Sequence, residues 1–211
     1  MKIAAAILIP CVLGVSGAAI AAEGQSALTV GYAQVHTGAL NHVGETLHLA
    51  DMNGRGLSDP KGVNVRYRYE LTDRLGMMAS FSFAESKSGD RLALSDTRWH
   101  EASARMRYLS VMAGPTLRVT DWLSGYVMTG AAYTRLSGFS GDWQKVTGAD
   151  GLITDELVRG DSNRVSQTRL AYSAGVQVDI TDQVVADLAW EGAGSGDWRT
   201  SAFIVGIGYR F

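Results

Sequence analysis

The chain of 211 residues has a single cysteine, Cys11. That residue lies in the amino-terminal run MKIAAAILIPCVLGVSGAAIAAE, which has one positive charge at Lys2, an apolar stretch to about Ala19 and the small-residue exit Ala19-Ile20-Ala21-Ala22. This is the pattern of a secretory signal peptide, with cleavage expected after Ala21 or Ala22. A lipoprotein signal would place a small residue before the cysteine, whereas Pro10 stands there. The exported chain is therefore expected to carry no thiol, disulfide or cysteine metal site.

Other absences narrow the class further. After Ala22 no apolar run approaches the roughly 18 residues of a spanning helix. With 19 Lys+Arg against 21 Asp+Glu, no basic excess points to nucleic acid and no acidic tract points to disorder. No G-x-S-x-G element, phosphate loop or H-E-x-x-H occurs. His36, His42 and His48 are spaced by six, which neither a strand nor a helix gathers into a compact metal site. No catalytic residue, metal or cofactor is expected.

What is present is alternation. In residues 62–71, Val63, Val65, Tyr67, Tyr69 and Leu71 share one face of an extended strand, while Asn64, Arg66, Arg68 and Glu70 share the other. Similar segments run over residues 75–84, 109–118, 123–136, 169–180, 184–191 and 202–211, and a first strand falls near residues 27–36. The count is eight.

Three connections repeat one motif: LTDRL at residues 71–75, VTDWL at 119–123 and ITDQV at 180–184. Asp and Thr suit tight turns because their side chains bond to nearby backbone. The other four connections, near residues 37–61, 86–99, 137–166 and 192–197, are longer. Short turns at one end, long loops at the other and an even strand count predict an all-β fold. The expected form is an eight-stranded antiparallel transmembrane up-and-down barrel with four long extracellular loops and three short periplasmic turns. Residues 1–22 are the expected signal peptide and residues 23–211 the barrel domain.

The polar face mixes small residues with charge, which suits the narrow interior of an eight-stranded barrel. Buried charges must pair, so Arg66, Arg68, Glu70, Arg169, Asp179, Asp187 and Glu191 are expected to form a lumenal network. Tyr32, Trp122, Trp190, Trp198 and Phe211 suit the interfacial aromatic girdles. Pro115 lacks an N–H for the ladder, so a missing bond or a bulge is expected there.

The segments DPKGVNVRYRYELTDRLGMMASFSFA, YLSVMAGPTLRVTDWLSGYVMTGAAY, LAYSAGVQVDI and SGDWRTSAFIVGIGYRF resemble the Ail/Lom family of small outer-membrane proteins, OmpX-like barrels. The tail is most similar to the phage-encoded Lom branch. The resemblance implies a monomeric barrel in the bacterial outer membrane, surrounded by lipid and lipopolysaccharide. Its surface loops would mediate adhesion, invasion or serum resistance through host matrix proteins or complement regulators. It also implies that Ile207, Tyr209 and Phe211 form the signal read by the barrel-assembly machinery.

Within the loops, Arg159, Gly160 and Asp161 form an RGD tripeptide, a candidate integrin contact that also arises by chance in turns. Trp143 and Trp198 end two copies of SGDW and are candidate loop contacts or rim aromatics. A purely structural envelope role is a competing reading. So is an outer-membrane lipid-modifying enzyme, which would need a Ser, a His and a carboxylate converging at one end. His36 and His100 are the histidines near strand ends, and neither has a nucleophile beside it in sequence.

Overall fold

The computed structural model describes residues 24–37, 58–147, 153–195 and 199–211; the expected signal peptide, His42, His48 and Trp198 lie outside them. The described residues form β1 (Ser26–Thr37), β2 (Lys61–Glu70), β3 (Leu75–Ser95), β4 (Arg98–Arg118), β5 (Leu123–Thr147), β6 (Ile153–Asp179), β7 (Val184–Ala193) and β8 (Thr200–Arg210). Each strand pairs antiparallel with the next, and β1 pairs with β8, closing the sheet into a barrel. Closure leaves no edge, which is what allows a sheet to sit in lipid.

The alternation sorts inside from outside. Val30 and Phe203 point outward and are 53% and 66% exposed, whereas Arg66 and Arg68 point inward and are each 1% exposed. A water-soluble barrel would have the opposite sidedness, with apolar residues within. Here small and polar side chains such as Thr29, Asn64, Ser80, Ser82 and Ser110 fill the interior, together with Met78, Met112 and Met128. The outer wall carries Tyr32, Phe81, Phe83, Val111 and Val205, the surface that lipid covers.

The repeated motif builds the three short turns in one way. The N–H of the first apolar residue donates to the carbonyl of the last, from Leu71 to Leu75, Val119 to Leu123 and Ile180 to Val184, at 2.8–2.9 Å. The threonine side chain adds a cap: Thr72 Oγ1 accepts from the Leu75 N–H, and Thr181 Oγ1 from the Val184 N–H, each at 3.0 Å. The apolar residues at the two ends of the motif thus flank the turn, the first just after one strand and the last opening the next.

Pro115 interrupts the sheet without shifting it. The β4–β5 register runs to Ala113↔Thr129 and resumes at Thr116↔Tyr126 in the same alignment, with no pairing at Gly114 or Pro115. The ladder to β3 continues through Met77↔Pro115. Proline therefore leaves a local gap and no bulge. Glycine precedes it because a Cβ on Gly114 would stand 2.1 Å from the Val127 carbonyl oxygen.

At the other end the strands differ in length. β1, β2, β7 and β8 have 12, 10, 10 and 11 residues, close to the 9–11 of a tilted membrane strand. By contrast, β3, β4, β5 and β6 have 21, 21, 25 and 27. These four continue beyond the barrel as a protruding sheet. Most of residues 86–99 and 137–166, expected as loops, is therefore strand. The reason is physical: above the membrane both faces meet water, so the backbone ladder continues while the apolar alternation that announces it disappears.

Candidate functional site

Within the barrel, buried charge is met by opposite charge or by hydroxyl donors. The Arg66 guanidinium donates to the Asp187 carboxylate and, at 2.6 Å, to the Tyr126 hydroxyl, which in turn donates to Asp187 at 3.0 Å. Glu191 accepts from Tyr108 at 2.5 Å and from Ser82 at 3.1 Å. Toward the short turns, Glu70 accepts from Arg118 at 2.5 Å and Asp179 from Arg210 at 2.7 Å. Arg68 lies between these carboxylates, 3.3 Å from Glu70 and 3.5 Å from Asp179. Arg169 stands apart: its Nε donates to Gln167 Oε1 at 2.8 Å, and the guanidinium contacts no carboxylate among the described residues. The buried groups fill the lumen, leaving it suited to structure and unsuited to a ligand.

The protruding sheet is different on both of its faces. On the outer wall, two rows of side chains lie in register: Glu85↔Arg107↔Arg135 and Lys87↔Arg105↔Ser137↔Arg164. They sit directly above the outward row Phe83↔Leu109↔Tyr133. A cleft of about 330 Å³ opens there, lined by Lys87, Arg105, Arg107, Arg135 and Arg164 with Ser103 and Ser137. Glu85 is 3.3 Å from Arg105 and 2.8 Å from Arg107. Among the described residues Lys87, Arg135 and Arg164 have no carboxylate partner, so the cleft is strongly positive. Such a surface attracts anions bearing several sulfate or phosphate groups.

Nearer the tip of the outer wall, Trp143 stacks on Trp99 with ring centroids 6.4 Å apart and planes 4° from parallel. The Arg91 guanidinium lies 3.9 Å from the Trp99 ring centre. Trp143 is half-buried by this packing.

The RGD tripeptide lies within β6 rather than in a loop. Arg159 pairs with Asp142, Gly160 with Gly141 and Asp161 with Ser140. Alternation puts Arg159 and Asp161 on one face, the inward one. There they stand in register with Asp142 and Ser140, which bond in turn to His100 of the next strand: its Nδ1 is 2.7 Å from Asp142 Oδ1 and its Nε2 3.2 Å from Ser140 Oγ. His36, by contrast, is 3.1 Å from Asp59 near the barrel rim. Ile207, Tyr209 and Phe211 form an outward stripe on and just beyond β8, exposed to 64%, 51% and 65%.

Comparison with known proteins agrees with this architecture. The family model for the enterobacterial Ail/Lom protein matches residues 1–211. The chain belongs to the Ail/Lom family. It is 43% identical over 190 residues to the outer membrane protein lom of Escherichia phage lambda, covering 89% of this chain and 88% of that protein. It is 31% identical over 209 residues to the attachment invasion locus protein of Yersinia pseudotuberculosis, covering 97% and 93%. The crystal structure of Ail from Yersinia pestis in complex with the heparin analogue sucrose octasulfate superposes with a TM-score of 0.61 at 27% identity, covering 90% of this chain and 100% of that one. This Ail/Lom chain is accordingly an outer-membrane β-barrel, and its outward apolar wall faces lipid.

Two groupings were invisible in the sequence. The cleft cations come from four strands, and Ser140 and Asp142 are about forty residues from His100. Only cross-strand register joins them, and register could not be read where alternation had faded.

Proposed function

We propose that this Ail/Lom protein is a surface interaction protein whose protruding sheet binds polyanionic glycans of host cells and matrix, thereby promoting adhesion. The observation that carries this reading is the cationic cleft on the outer wall, five Lys and Arg side chains around one carboxylate. The cleft lies on a rigid four-stranded scaffold just above the last apolar row, where a sulfated chain can lie across the strands. The solved Yersinia pestis relative holds a heparin analogue, and the Yersinia pseudotuberculosis relative is named for attachment and invasion. Both are consistent with a glycan-binding surface. Invasion and complement resistance would follow from recruiting host glycoproteins to the same surface. The reading takes the barrel as a monomer, exported by residues 1–22 and assembled through the Ile207-Tyr209-Phe211 stripe. Binding through the cleft requires no chemical step.

The test is adhesion of a non-adherent bacterium displaying the chain to immobilised heparin and to host matrix proteins. The comparison is with a variant carrying Arg105→Gln, Arg107→Gln, Arg135→Gln and Arg164→Gln. Binding should be lost in the variant and should fall with added salt in the native chain. Equal binding by both, at equal surface density, would remove the cleft from the account. No binding by either would favour an envelope role.

A further inference from the structure

The opposite face of the protruding sheet carries a different constellation. From its inward face we infer that Ser140, His100 and Asp142 form a hydrolytic centre of the serine type, acting on small uncharged acyl esters at the cell surface. This goes beyond the glycan-binding reading and uses none of its residues.

The geometry is specific to the role. Asp142 Oδ1 lies 2.7 Å from His100 Nδ1. An ionised carboxylate only accepts, so Nδ1 carries the proton and Nε2 presents its lone pair. That lone pair is 3.2 Å from Ser140 Oγ, and the serine hydroxyl is positioned to donate to it. Each ring nitrogen thus faces the partner that a Ser-His-Asp triad requires, and such triads are recognised by geometry and not by chain order. Register produces the arrangement: His100 pairs directly with Asp142, and Ser140 lies two residues away on the same face. The site opens toward water, with the side chains of His100 and Asp142 exposed to 19% and 46% and Ser140 at its base at 8%.

The next strand supplies charge on the same face. Arg159 is in register with Asp142, and Asp161 with Ser140. Adjacent strands are about 4.8 Å apart, so both are within side-chain reach. Arg159 is assigned to the oxyanion of the tetrahedral intermediate. Asp161 disfavours anionic acyl groups, hence the uncharged substrate class.

The reaction balances without a cofactor. Ser140 Oγ attacks the ester carbonyl carbon as its proton passes to His100 Nε2, and the imidazolium is held by Asp142. His100 returns that proton to the departing alkoxide, giving an alcohol and an acyl-Ser140. Water then gives a proton to His100 and attacks the acyl carbon. Collapse releases the carboxylic acid and returns the proton to Ser140.

The experiment treats the full chain, folded in lipid vesicles, with a fluorophosphonate probe, locates the adduct by mass spectrometry and follows hydrolysis of p-nitrophenyl butyrate. Labelling should map to Ser140 and disappear in Ser140→Ala. Turnover should fall about 10²–10⁴-fold in Ser140→Ala and His100→Ala. Asp142→Asn should lower kcat with little change in KM, as expected of a positioning residue. Heparin binding should persist in all three, which shows that they fold and separates this proposal from the glycan reading. Absence of an adduct on Ser140 in the folded chain, or butyrate turnover equal in Ser140→Ala and the native protein, would overturn the assignment.

Discussion

The barrel and the sheet that rises from it are built from the same strands and treat charge in opposite ways. Along β4, Tyr108 reaches inward to a buried carboxylate, while a few residues nearer the tip Arg105 and Arg107 line an open cleft. Deep inside the barrel Arg66 and Arg68 are held against carboxylates, because an unpaired charge there has no water to solvate it. Above the membrane water supplies the solvation, and charges can be left over for a partner. The position of a residue along its strand, more than its type, decides whether it serves stability or recognition.

The sharpest way to break this contrast is to orphan a lumenal charge. Asp187→Ala leaves Arg66 buried and uncompensated and should cost about 3–5 kcal/mol, read as a fall in the urea unfolding midpoint in vesicles. Replacing both members with apolar residues of similar volume should restore most of the loss. Next in size is the lipid face: Val111→Arg, on the outward wall of β4, should cost about 2–4 kcal/mol. By contrast Ile153→Arg, at the exposed tip end of β6 and outside the cleft, should stay within about 0.5 kcal/mol.

The turn caps give a smaller effect. Thr72→Val and Thr181→Val each remove two side-chain bonds to backbone N–H groups, the shorter at 3.0 Å, and should cost about 0.5–1.5 kcal/mol. Smallest is Glu85→Gln on the protruding sheet, which loosens two exposed ion pairs and should change stability by less than about 1 kcal/mol. That substitution should nonetheless raise heparin affinity, since it removes the carboxylate that contacts Arg105 and Arg107. An affinity that falls would show that Glu85 positions Arg105 and Arg107 for the ligand.

The barrel was legible in the sequence because lipid imposes period two on every strand that crosses it. Val63 to Leu71 could face only one way, and the three Thr-Asp motifs marked where the chain reversed. Residues 137–147 and 153–166 were read as loop because Gly138, Ser140, Gly141 and Asp142 show neither an apolar face nor a strong strand preference. Their ladder is held by cross-strand backbone bonds, which leave little trace in side-chain pattern. Arg159 and Asp161 form a recognisable tripeptide, but their common face and their register with Asp142 and Ser140 follow only from strand pairing. Arg169 shares the inward face of the lumenal residues, yet it lies toward the mouth, where an amide partner suffices.

The continuity of β3 to β6 from membrane to tip also has a mechanical consequence. A host cell drawn away by flow would pull on the hairpin ends along the strand axes. In an antiparallel sheet the interstrand hydrogen bonds run perpendicular to that direction, so they are loaded together in shear and are not opened one at a time. The tension would pass down the paired strands, past the one gap at Gly114 and Pro115, into the closed barrel, where it is shared around the ring. A tether of this design resists detachment through its geometry, even where each contact with the host surface is weak.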